Sequence, residues 1–298
     1  MYKSEIPNSS ISFKLLVFPF FWLLSKLPIT FLKGLSNIFY YILYYILRYR
    51  RKVVRENLKN SFPSWSDSQL LSIEKKFFKY LSDLIFEIIK GISITGEEID
   101  KRISNKSIPL YDKLFNENQS IIVALSHSGN WEWVSLISQR TVKFQVYITY
   151  KPLSNKNFNW LMYITRSKFN ALPVPMNETL RQLNVNKELN IKTITALVAD
   201  QNPASAKGAQ WESFLAQDTA FLNGPGKLSK RFSMPVVYFK CKRLARFKYA
   251  TESKIIVSDS SNYSSEEINR MIICEMEKDI LEQPEIWLWS HKRWKHSR

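Results

Sequence analysis

The stretch IIVALSHSGNWEW, residues 121–133, decides how the chain is read. IIVALS is a short apolar run rich in β-branched residues, as expected of a strand buried in a sheet. Gly129 and Asn130 supply a turn, and Asn130 is a good helix N-cap. WEWVSLISQR, residues 131–140, reads as the helix that follows. His127 therefore falls where a strand ends, and in open α/β sheets ligands collect beyond the carboxyl ends of strands. It is one of only three histidines in the chain, with His291 and His296. Glu132 lies in the first helical turn, five positions on, where it can fold back towards the imidazole. A carboxylate on one ring nitrogen fixes the tautomer and raises basicity, leaving the other nitrogen to take a proton from a hydroxyl. Base and orienter are then present without a protein nucleophile, so the attacking group is the substrate's own alcohol.

Outward from this unit the pattern repeats. Strands are expected at FQVYITY (144–150), TITALVA (193–199), MPVVYFK (234–240) and KYATESKIIV (248–257). Helices are expected at 70–91, 157–169, 178–189 and 224–232, and in a stretch that Pro284 stops. Ser66 with Gln69, and Ser264 with Glu267, form capping-box patterns at two helix starts. Such alternation predicts an α/β fold, a mixed central sheet flanked by helices. There is no internal repeat and no long linker.

Residues 11–47 differ in kind. Two apolar, aromatic segments meet near Pro28. Ile11–Leu27 is broken by Lys14, Pro19 and Lys26; Ile29–Leu47 is interrupted only by Lys33 and Gly34 and has roughly the length of a bilayer span. Arg48, Arg50, Arg51, Lys52 and Arg55 follow at once, a cluster that stays cytoplasmic and binds anionic headgroups. Residues 1–50 are thus expected to be membrane-associated helices and 51–298 the catalytic domain, with spanning and lying in the interface both open.

Composition narrows the chemistry. The 298 residues carry a formal charge of +17, which suits an anionic partner: nucleic acid, lipid or phosphate. No GxGxxG or GxxxxGK[ST] occurs, so the usual nucleotide cradles are missing. Cys241 and Cys274 give neither a disulfide framework nor a zinc spacing, and three histidines build no metal site; no metal is expected. Trp287, Trp289, Lys292, Arg293, Trp294 and Lys295 mix rings with cations, which leaves a nucleic-acid-binding module as the non-enzyme alternative.

HSGNWEW resembles the His-x4-Asp/Glu signature of glycerolipid and lipid A acyltransferases, and is most similar to the lauroyl/myristoyl acyltransferases of lipid A biosynthesis. Five further blocks are similar in family order: RRKVVRENLKNSFPSWSDSQL, YKPLSNKNFNWLMYITRSKFN, LVADQNP, FLNGPGKLSKRFSMPVVYFKC and PEIWLWSHKRWK. Together they run from about Arg51 to Lys295. The segment PASAKGAQWESFLAQDTAFLNGP departs from the family, with glycine only at 208 and 224. The resemblance implies a glycerolipid-acyltransferase-like fold and a membrane-associated O-acyltransferase. It implies His127 as general base and Glu132 as its orienter. Arg166 would stabilise an oxyanion or phosphate, with Asn130, Asp200 and Gln201 contacting substrate. No cofactor is implied; an acyl thioester on acyl-carrier protein or coenzyme A is the co-substrate. The implied acceptor is a lipid A precursor, with a lysophospholipid or amino-acid lysolipid as the alternative and a thioesterase-like hydrolase as a third reading. The implied place is the cytoplasmic face of a bacterial inner membrane, with an anionic lipid surface as partner and no nucleic acid.

Overall fold

All five residues of Ile121–Leu125 are buried, as a strand covered on both faces requires. The computed structural model describes residues 1–117, 119–203 and 205–296. The described strands are β1 (Ile103–Asn105), β2 (Ile121–Leu125), β3 (Gln145–Tyr150), β4 (Leu172–Pro175), β5 (Thr193–Val198), β6 (Gln210–Phe214), β7 (Gln217–Phe221), β8 (Val236–Ala245) and β9 (Lys248–Val257). The helices are α1 (Phe18–Lys26), α2 (Ile29–Tyr41), α3 (Arg51–Ser61), α4 (Asp67–Gly91), α5 (Gly96–Asp100), α6 (Ile108–Asn116), α7 (Trp131–Thr141), α8 (Lys156–Arg166), α9 (Thr179–Glu188), α10 (Gly224–Phe232) and α11 (Ser265–Glu282).

Seven strands form one sheet in the order β1-β9-β8-β2-β5-β3-β4. Pairing is parallel except between β8 and β9, so the sheet is mixed, as the sequence pattern requires. β6 and β7 make a separate antiparallel hairpin. Both capping boxes are formed: Ser66 opens α4 and Ser264 opens α11. α4 ends at Gly91 as expected, and Asp83 on its buried face accepts hydrogen bonds from Ser36 of α2 and from Arg243 and Arg246 at the β8–β9 turn. One carboxylate thus ties the amino-terminal helices to the sheet.

The amino-terminal segments fold as two helical stretches, Phe13–Lys26 and Ile29–Ile46, bent by 115° at the break near Pro28. Among the described residues no single helix is long and apolar enough to cross a membrane, although the bent pair together has the length and composition to do so. Leu15, Leu16, Phe20, Phe31 and Ile38 are exposed, each by 60% or more. On the opposite side Phe13 and Phe21 set their rings edge-on to Phe158, and Phe18 does the same to Trp160, both on α8.

Candidate active site

The register of two strands builds the site. β2 and β5 pair in parallel with Leu125 opposite Val198, and Ala199 N–H donates to the Leu125 carbonyl at 2.8 Å. His127 and Asp200 each lie two residues past those partners, so they leave the sheet side by side. The imidazole Nδ1 is 2.7 Å from Asp200 Oδ1, and the His127 backbone N–H donates to Oδ2 at 2.9 Å. Trp287 Nε1 donates to the same Oδ2 at 2.8 Å. Asp200 is buried, while the His127 side chain keeps 19% of its surface exposed.

Electrostatics follow from this packing. Burial favours neutral groups, yet the charge of His127 and the hydrogen bonds on Asp200 hold its carboxyl down at about 2. Burial alone would lower the imidazole pKa; the Asp200 charge and hydrogen bond outweigh it and raise His127 above its ordinary 6.5, with Glu132 adding to the rise.

Sequence reasoning gave the orienting role to Glu132, and the geometry assigns that hydrogen bond to Asp200 instead. Glu132 is held by Arg166, whose Nε donates to Oε2 at 2.8 Å and whose Nη2 donates to Oε1 at 2.6 Å. Trp131 Nε1 adds a third bond to Oε1 at 3.1 Å. A carboxylate on the first turn of α7 points along the helix towards α8, and a two-pronged guanidinium there captures both oxygens. Glu132 thus acts on His127 through its charge and not through a bond. Arg166 is correspondingly committed to Glu132 through two of its nitrogens, and its guanidinium also stands 5.5 Å from the Tyr150 ring centre.

Two further expectations change. Asn130 is fully buried, so it is a structural cap and not a substrate contact. Its Oδ1 accepts from Trp133 N–H at 2.9 Å and its Nδ2 donates to Glu87 Oε2 at 2.8 Å. Asp200, expected on the wall beside the acceptor, lies behind the imidazole. Gln201 does line the open space in front of it. Sequence reasoning missed Glu87, buried on α4. Besides Asn130 it accepts from Phe247 N–H at 3.0 Å and Tyr249 OH at 2.6 Å, and burial pushes its carboxyl up to about 7. Nothing local in the sequence distinguishes it from other helical glutamates.

Gly129 makes the turn possible. Its φ is +64°, and a Cβ there would meet Cys241 Sγ at 2.7 Å and the Cys241 carbonyl at 2.9 Å. Tyr80 OH donates to the Gly129 carbonyl at 2.6 Å, and Gly129 N–H donates to the Ile286 carbonyl at 3.1 Å. The carboxyl-terminal tryptophan stretch therefore packs behind the histidine loop, with Trp287 as its contact to Asp200.

In front of His127 a cavity of about 290 Å³ opens between α7 and the sheet. Val123, Leu125, Ile148, Ala196 and Val198 line its floor, and Val134 and Ile137 of α7 its roof. His127, Trp131, Glu132 and Arg166 stand at one end; Asn105, Tyr111 and Thr141 close the other. The shape is an apolar slot with an acid–base group at its polar end. Among the described residues no cluster of His, Cys, Asp and Glu could hold a metal ion.

The model of the bacterial lipid A biosynthesis acyltransferase family matches residues 3–296. The chain belongs to that family. A search of curated proteins found no match. The protein is an acyltransferase enzyme, and an acyltransferase of lipid A biosynthesis needs an acyl donor and a lipid acceptor.

Proposed function

We propose that this acyltransferase moves a fatty acyl chain from a thioester of acyl-carrier protein or coenzyme A to a hydroxyl of a lipid A precursor. The observation that carries the reading is the His127–Asp200 pair at the polar end of an apolar slot. Asp200 takes Nδ1 and leaves Nε2 to act as base. The acceptor hydroxyl gives its proton to Nε2 as its oxygen bonds to the thioester carbonyl carbon. The tetrahedral oxyanion collapses, the carbon–sulfur bond breaks, and the leaving thiolate takes the proton back from the imidazolium. The fatty chain lies in the slot under α7. Arg166 lines the slot, and its Nη1 has no hydrogen-bond partner among the described residues, so it is placed to donate to the oxyanion or a phosphate. Glu132 holds that guanidinium in place and favours the imidazolium by its charge.

The amino-terminal helices are the membrane contact in this reading. The bend supports an interfacial seat over a span, since neither arm is long and apolar enough to cross alone. Arg48, Arg50 and Lys52 of the basic run are exposed and then meet anionic headgroups of the cytoplasmic leaflet of the inner membrane, whereas Arg51 and Arg55 pair with the buried carboxylate of Glu74.

The test is incubation of detergent-solubilised protein with a labelled acyl thioester and, separately, a lipid A precursor, a lysophospholipid and an amino-acid lysolipid. Transfer to the lipid A precursor is the expected result. Transfer to a lysolipid alone would replace the acceptor, and steady thioester cleavage with no lipid product would make the protein a hydrolase.

A further inference from the structure

A second cavity, of about 270 Å³, lies on the other face of the sheet. Successive residues of a strand point to opposite faces. In β5, Ala196 lines the slot under α7 while its neighbour Leu197 lines this second space. α9 contributes Leu180 and α10 contributes Leu228. The two cavities meet over the carboxyl edge of the sheet, where Thr149, Tyr150, Lys151, Val198 and Gln201 line both. Two exposed lysines, Lys151 and Lys227, line the second cavity, and neither forms an ion pair among the described residues. No described residue lining it is acidic.

We propose that this second cavity seats a fatty chain of the phosphorylated acceptor lipid, with Lys151 and Lys227 facing its phosphate. The inference rests on the acyl-transfer reading above and extends it to the acceptor. Transfer onto a lipid brings two amphiphiles to one imidazole. The slot under α7 holds one chain with its reactive end at His127. An acceptor seated on the opposite face reaches the same imidazole across the shared rim of Thr149, Tyr150, Lys151, Val198 and Gln201. The walls suit a hydrocarbon, the rim suits an anion, and the lack of carboxylates removes repulsion of a phosphate.

The test is a steady-state titration of both substrates with the full chain in detergent. Leu180→Trp, on the partly exposed rim, fills the cavity with an indole. It is expected to raise the acceptor KM about tenfold or more while the donor KM changes less than twofold. Lys227→Glu is expected to raise the KM for the phosphorylated precursor more than for its dephosphorylated form. An unchanged acceptor KM in a normally folded Leu180→Trp protein overturns the assignment, as does an equal rise in both KM values. If Leu180→Trp does not fold, Leu228→Phe carries the same test from α10. If the unaltered protein transfers chains to no lipid, both this inference and the proposed function fall; if it transfers normally and only the cavity variants are silent, the cavity assignment alone falls.

Discussion

The carboxyl edge of the sheet and the amino-terminal helix pair obey the same burial rule with opposite results. At the edge, two carboxylates have been withdrawn from water and both are fully engaged: Asp200 accepts from three donors and Glu132 from three. In the helix pair, large apolar side chains such as Leu15, Leu16 and Phe20 are left exposed by the rest of the chain. The first region is complete within the chain. The second leaves apolar surface exposed, and under the proposed function a membrane surface covers it.

The sharpest way to break this contrast is to remove the base. His127→Ala is expected to lower kcat about 10²–10⁴-fold while leaving the thermal unfolding profile close to that of the parent. Transfer assays on purified protein check it; near-normal turnover would move the chemistry elsewhere. Asp200→Asn comes next. The unaltered enzyme must lose the His127 proton to act, so kcat/KM rises with pH through a value above the ordinary 6.5. Removing the Asp200 charge withdraws the largest influence raising that value, so the rising limb moves to lower pH and its plateau falls. A profile between pH ~5 and ~9 reads both effects, since it spans the range where imidazoles titrate.

Arg166→Met strands a buried carboxylate and is expected to cost about 3 kcal/mol of stability, with Glu132→Gln in the same chain recovering part of it. Denaturant melts of the single and double variants measure the coupling. On the helix pair, Leu15→Ser with Leu16→Ser is expected to lower binding to anionic vesicles roughly tenfold without touching the melt. Flotation on vesicles decides it, and loss of stability with unchanged binding would make those side chains part of the fold. Gly129→Ala is expected to lower stability by about 1–3 kcal/mol in a denaturant melt, from the left-handed backbone and the crowding by Cys241.

What was legible in the sequence follows the range of the signal. The runs 121–126, 144–150, 193–199, 234–240 and 248–257 all contain strands of the main sheet, because buried strands are apolar and β-branched in themselves. β1 and β4 are three and four residues long, and only pairing with distant partners defines them. The β6–β7 hairpin was hidden for another reason. Its turn residues, Leu215 and Ala216, have φ of 51° and 58°, a conformation usually signalled by Gly or Asn. Here tertiary contact holds it: Leu215 is buried and its N–H donates to Glu277 of α11 at 2.6 Å. At the site, the placement of His127 was local and therefore readable. Its true partner was not, because Asp200 lies 73 positions away and reaches the ring only through the β2–β5 register. A carboxylate five residues off looked nearer in the chain than one side by side in the sheet.

α8 joins the two regions compared above. Near its start Phe158 and Trp160 rest on the rings of the amino-terminal helices, and its last residue, Arg166, grips Glu132 beside the imidazole. It is an eleven-residue rod, so about 16 Å of rigid backbone fixes the elevation of the chemistry above whatever the helix pair rests on. Inserting one helical turn into that rod would lift the imidazole off its footing without altering any group around it.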